Sequence, residues 1–168
     1  MILVPTRELA EQIYGHLKGL LAYCDKEVIV SNVTSGTTSH LQRYVPIRSK
    51  FSPSLITSPR TILSDKPDIV ISTPSRALAL LQSKSLSFSS LESLVIDEAD
   101  LILSYGHDED VRQIFSSGHL PQVYQSFLMS ATMTEDVEML KGLALRNPVG
   151  GAILLNQRPI SFSSDRPS

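Results

Sequence analysis

The 168-residue chain holds a single cysteine, Cys24, so it can form no disulfide within itself and offers no cysteine-based metal site. One thiol suits a reducing compartment and favours cytosol or nucleus over secretion. Long apolar runs are also missing: no stretch approaches the roughly 18 residues of a membrane span. The opening MILVPTRE has neither the basic segment nor the apolar length of a signal peptide, so the expectation is a soluble chain without a leader. A large surplus of either charge is absent as well. Fifteen Lys and Arg stand against 17 Asp and Glu, a net of −2, and the overall balance demands no polyanionic partner, although a neutral total can hide a basic patch. The four histidines (His16, His40, His107, His119) fall at no metal-ligand spacing, and no serine sits in a nucleophile-elbow context. No internal repeat points to a solenoid.

What is present is a 42% hydrophobic content, ample for one packed domain. Short apolar runs, all but the last containing Val and Ile, recur at 2–4, 28–33, 68–72, 93–97 and 126–130 and read as buried strands. Between them lie segments with helical spacing: Leu9, Ile13, Leu17, Leu20 and Leu21; Ala77, Leu78 and Leu81; Val111, Ile114 and Phe115; Val137, Leu140 and Ala144. Alternating strands and helices, with strands apolar on both faces, predict an α/β fold: an open, mostly parallel sheet with helices on both faces. Ligands of such sheets bind beyond the carboxyl ends of the strands. Two stretches break the pattern. Residues 43–66 hold Pro46, Pro53, Pro59 and five basic residues (Arg43, Arg48, Lys50, Arg60, Lys66) against Asp65, and read as a long basic loop. Residues 150–168 open on Gly150 and Gly151 and close rich in Ser and Pro, the composition of a disordered tail.

The strand of LESLVIDEADLIL (91–103) ends in Asp97, Glu98 and, two residues on, Asp100, and unpaired carboxylates are costly to bury. At the ligand-facing edge they can stay wet or hold a hard cation, and Mg²⁺ fits an oxygen-only donor set best. Asp97 then holds the metal, and Glu98 polarises an attacking water, as in phosphoryl-transfer sites. Plain capping of the next helix is the alternative. In VPTRE and STPSR a strand runs into a helix start carrying Thr, Pro and Arg; free N–H groups there favour anions, and Arg7 and Arg76 can clamp phosphate. Helix capping by Thr6 or Ser75 accounts for either motif taken alone. Thr132 and Glu135 have the spacing of a capping box.

The chain resembles the DEAD-box RNA helicases. Asp97-Glu98-Ala99-Asp100 spells the family's name, and PTRELAEQ (5–12), TPSR (73–76) and SAT (130–132) follow the family's order. The surroundings KPDIVISTPSR and FLMSATMTEDV look most like the branch that assembles ribosomes in the nucleolus. The resemblance implies a RecA-like fold of the P-loop NTPase type, incomplete here: residues 1–149 as part of a first RecA-like domain with 43–66 as an insertion. It implies ATP and Mg²⁺ as cofactors, with Asp97 holding Mg²⁺ through water and Glu98 as base. It implies that Pro5, Thr6, Arg7, Glu8, Gly36, Thr73, Pro74 and Arg76 hold the sugar-phosphate backbone of single-stranded or duplex RNA. Asp100, Ser130, Ala131 and Thr132 would couple nucleotide state to unwinding, with the hydroxyls bonding Asp100. It further implies a monomer that meets pre-ribosomal particles in the nucleus or nucleolus, otherwise the cytoplasm, and no membrane.

The departures are specific. Where the family has Gly-Gly this chain has TSG, leaving only Gly36, and a Ser side chain stands where backbone would approach RNA. No G-x-x-x-x-G-K-[ST] loop occurs in the 168 residues, no adenine-recognition glutamine segment precedes one, and a second RecA-like domain has no room. The reading is therefore a helicase piece, with a non-catalytic RNA- or partner-binding fragment as the alternative. Positioning and electrostatics are nearly all that a protein contributes to phosphoryl transfer, so the purified chain is expected to show no RNA-stimulated ATP hydrolysis. A phosphate-release assay checks this, and turnover abolished by Glu98→Gln would contradict it.

Overall fold

The computed structural model describes residues 1–24, 28–34 and 67–145. In chain order these form β1 (Ile2–Leu3), α1 (Arg7–Leu21), β2 (Val30–Asn32), β3 (Ile69–Ser72), α2 (Pro74–Gln82), β4 (Ser93–Ile96), α3 (Ala99–Ser104), α4 (Asp108–Ser116), β5 (Gln125–Leu128) and α5 (Glu135–Ala144). The strands make one sheet in the order β2-β3-β1-β4-β5, every neighbouring pair parallel. The central strand β1 has two ladder residues but is held beyond them: Val4 N–H donates to Ser72 O at 3.0 Å, and Asp97 N–H donates to Leu3 O at 3.0 Å.

Alternation along each strand assigns residues to faces. On one face Val4 and Ile71, with Ile2 and Ile69, pack on Ala10, Leu9, Ile13 and Leu17 of α1. On the other, Leu3, Leu94 and Ile96 meet α2 through Ala77, Leu78 and Leu81, α3 through Ile102, α4 through Val111 and Ile114, and α5 through Leu140. Val70 sits on that second face with Leu80. Helices thus cover both faces, as the apolar strands predict, but unequally. Over β4 and β5 no described helix covers the α1 side and Phe127 is 41% exposed, while Leu128 on the opposite face packs into the core and Ser126 Oγ donates to Ala144 O at 2.7 Å.

Local chemistry sets the helix starts. Thr6, extended at φ −133°, accepts Leu9 N–H at 3.2 Å and caps α1, with Glu8 in the first turn and Lys18 in the last to suit the dipole. Thr73, not Ser75, occupies the N-cap position of α2, because Pro74 is pre-set for the first helical position and moves the boundary one step upstream. Thr134, not Thr132, caps α5 by accepting Val137 N–H at 3.3 Å, so the Thr132–Glu135 capping box does not form. The short α3 had no counterpart in the sequence pattern. No helix among the described residues is long and apolar enough to cross a membrane. Gly36, the 43–66 loop and the 150–168 tail lie outside the described residues.

Leu94 is fully buried between β1 and the α2–α5 layer. Leu94→Ala is expected to cost about 2 to 5 kcal/mol in urea unfolding, whereas Leu20→Ala, at a 68% exposed position, should stay within about 0.5 kcal/mol.

Candidate functional site

Parallel strands send every exit to one edge, and the candidate residues follow those exits. Across the sheet the order is the end of β2 at Val33 and Thr34, Thr73 after β3, Pro5 and Thr6 after β1, Asp97 after β4, and Ser130 after β5. The two Thr-Pro-Arg helix starts are therefore neighbours, and the acidic strand end stands between them and the SAT segment. Neighbouring strands lie about 4.8 Å apart, so adjacent exits can be spanned by one ligand.

At the acidic end, Asp97 Oδ1 accepts the Glu98 N–H at 3.0 Å. Glu98 turns the chain from β4 into α3 with φ 51° and ψ 52°, a left-handed conformation that costs a residue with a Cβ about 1 to 2 kcal/mol. Bonds on both sides hold it there: Ala99 N–H donates to Met129 O at 2.9 Å, and Ile102 N–H to Glu98 O at 3.0 Å. Strain maintained by its surroundings is common at functional sites.

Asp100 reaches across from α3 to the SAT segment. Its Oδ2 accepts from Thr132 Oγ1 at 2.8 Å and Thr132 N–H at 3.1 Å, and its own N–H donates to Ser130 Oγ at 3.3 Å. Ser130 Oγ in turn donates to Thr132 O at 2.8 Å, and Asp100 Oδ1 accepts Leu101 N–H at 3.1 Å. Thr132 turns its hydroxyl toward Asp100, away from α5, and Thr134 accepts the capping N–H instead. Desolvation pushes the Asp100 carboxyl up, but hydrogen bonds from Thr132, the Leu101 backbone, Ser130 and Asp100's own backbone outweigh it and hold the carboxyl below its ordinary value. Ala131, between the two hydroxyl residues, is exposed and contributes spacing.

The helix starts differ from each other. Pro5 is buried and orients the turn, Thr6 Oγ1 is committed to the cap, and Arg7 and Glu8 are exposed at the first turn of α1. At α2 no side chain caps the start, which leaves its first N–H groups without a side-chain partner, with Pro74 buried and Thr73 half-buried. Arg76 is half-buried and its Nε–H donates to Val33 O at 3.2 Å. That contact was not legible beforehand, because its acceptor is a backbone carbonyl 43 positions away. Asn32 was missed too: its Oδ1 accepts Thr34 N–H at 3.1 Å and Thr34 Oγ1 at 2.8 Å, closing the exit of β2. An Asn at a strand end is a turn signal that could have pointed to it.

Comparison with known proteins bears on what this edge belongs to. The DEAD/DEAH box helicase family profile matches residues 1–140. The chain belongs to the DEAD/DEAH box helicase family. Among curated relatives of this helicase chain, the ATP-dependent RNA helicase DBP9 of Cryptococcus neoformans var. neoformans serotype D is 48% identical over 167 residues, 98% of this chain and 23% of that protein. The ATP-dependent RNA helicase dbp9 of Aspergillus niger is 48% identical over 149 residues, 89% of this chain and 21% of that one. The chain thus spans about a fifth of the length of these relatives. Among solved structures, a DEAD box protein from Methanococcus jannaschii covers 87% of the chain with a TM-score of 0.65 at 22% identity, the match taking in 34% of that protein. A hypothetical ATP-dependent RNA helicase from Sulfolobus tokodaii gives 0.66 at 27% identity, with 87% of this chain and 38% of that one covered. The parallel five-stranded sheet is accordingly a DEAD-box RecA-like fold.

The donor set at Asp97 fits a hydrated Mg²⁺: a carboxylate at a strand end with one oxygen bonded to Glu98 N–H and the other without a hydrogen-bond partner among the described residues. Nucleotide phosphates do not fit these residues alone, since the sequence holds no glycine-lysine phosphate loop. Because the folded state depresses the Asp100 carboxyl, the stability it adds is complete above the ordinary aspartate value and is lost as pH falls through the depressed one. A carbon-13 titration should therefore place its midpoint below that of the urea-unfolded chain, and Thr132→Val should raise it. An equal or higher midpoint for the wild type would count against the bond network.

Proposed function

We propose that the chain is the RNA-gripping and water-activating part of an ATP-dependent RNA helicase that couples ATP hydrolysis to local unwinding of RNA duplexes. The single observation that carries this is the order of strand exits: two helix starts side by side, then the acidic strand end, then Thr132 bonded to Asp100. Residues 1–149 are part of a first RecA-like domain, and the rest of the active site comes from elsewhere in the whole enzyme.

The helix starts at Thr6–Arg7 and Thr73–Pro74 are suited to consecutive phosphates of one RNA strand, with N–H groups and dipoles giving affinity but no base recognition. Arg7 adds an ionic grip and Pro5 and Glu8 shape the turn. Asp97 would hold magnesium through water; the ion neutralises charge on phosphoryl oxygens. Glu98 is placed to take a proton from the attacking water, and Asp100, Ser130 and Thr132 carry movement of α3 to the SAT segment. The flanking sequences support a role in ribosome assembly, with pre-ribosomal particles as partners and the nucleolus as location, for a monomeric enzyme. For the chain by itself, the two neighbouring helix starts without a phosphate loop favour sequence-independent RNA binding without turnover.

A labelled oligo-uridine and an oligo-adenine should bind the chain with similar affinity, and binding should weaken steeply with salt. Arg7→Ala should lower the slope of log affinity against log salt by about 0.7, one single-strand phosphate contact. Salt-independent binding, or none, would refute the reading.

A further inference from the structure

We propose that Arg76 is a positioning residue of the RNA edge, fixing the exit of β2 to the first turn of α2, and that its charge does not grip phosphate. The proposal rests on the reading of this edge as an RNA site. Val33 is 5% exposed and lies one residue beyond the β2–β3 ladder. Its N–H donates to Ile71 O at 3.0 Å, but β3 ends at Ser72, and among the described residues no strand offers its carbonyl a ladder partner. A buried carbonyl needs a donor, and Arg76 Nε–H supplies it at 3.2 Å from the third residue of α2.

The bond joins two strand exits that the sheet alone leaves independent. On the β2 side, Asn32 Oδ1 holds Thr34 through two further bonds. On the α2 side, the start has no side-chain cap. Arg76 is then the described side-chain bond that stops the first turn of α2 from shifting relative to β2, and the N–H groups of that turn are what meet phosphate. Committing Nε to a carbonyl also orients the planar guanidinium. Arg7, exposed and without a hydrogen bond or ion pair among the described residues, has the features of a clamp; half-buried, bonded Arg76 has those of a tie.

Two substitutions separate the roles, because each keeps what the other removes. In Arg76→Gln the amide nitrogen replaces Nε at the same position along the side chain, so the donor stays and the charge goes. In Arg76→Lys the charge stays and a methylene replaces Nε. On the full chain, with thermal unfolding to verify folding, Gln should keep oligo-uridine affinity within about threefold and Lys should lose about tenfold or more, with the wild-type salt slope retained. The reverse order, or a slope reduced by Arg76→Gln as much as by Arg7→Ala, makes Arg76 a clamp and overturns the proposal. Nitrogen-15 spectra of the wild type give a second reading: the Arg76 Nε–H should be protected from exchange without RNA and unshifted when RNA is added. An Nε–H protected only with RNA overturns the tie even if the variants do not fold. Absence of wild-type binding with a protected Nε–H would instead defeat the RNA reading, and the role with it, while leaving the bond itself.

Discussion

The constraint on which everything else rests is the parallel alignment of the strands. A parallel strand cannot be followed by a tight hairpin to its neighbour; the chain must cross back over a face, here through a helix at several connections. The same crossing that buries Ala10, Leu78 and Ile114 returns the chain to the opposite edge, so all strand exits fall together. Residues far apart in sequence, such as Thr6, Thr73, Asp97 and Ser130, become neighbours without any side chain having to pull them together. Side-chain bonds then only refine the spacing. Two of them span different exits, Asp100 to Thr132 and Arg76 to Val33, and they sit towards opposite ends of the row.

Much of this was readable from residues. The five strands announced themselves through short apolar runs, and four helices through their apolar stripes, because both signals are set by burial on a repeating period. Edge placement of Asp97, Glu98 and Thr132 followed from where the runs stopped. The unreadable parts share a physical cause. Helix α3 has six residues, too few for a period to show. The caps at Thr73 and Thr134 depend on competition: Pro74 takes the first helical position, and Asp100 draws Thr132 away. The bond from Arg76 to Val33 left no trace because its acceptor is a main-chain carbonyl, and carbonyls carry no signature in a sequence.

The acidic strand end illustrates how a feature costly to stability is retained by its surroundings. The carboxylates of LVIDEAD avoid burial by standing just past the last ladder residue, Ile96. Asp100 goes furthest, accepting three hydrogen bonds from Thr132 and Leu101. Its charge is therefore neither free nor paired with a cation, but dispersed over hydroxyl and amide donors, an arrangement that can be dismantled and remade without an ion crossing the site.

Glu98 carries a further implication. Glycine would adopt its left-handed backbone freely, yet the chain places a carboxylate-bearing side chain there and accepts the steric penalty. A sequence optimised for folding alone would drift towards glycine at this turn. The bend at residue 98 thus keeps a steric cost in the main chain itself, where the bonds of Ala99 and Ile102 lock it in place and a change of side chain cannot hide it.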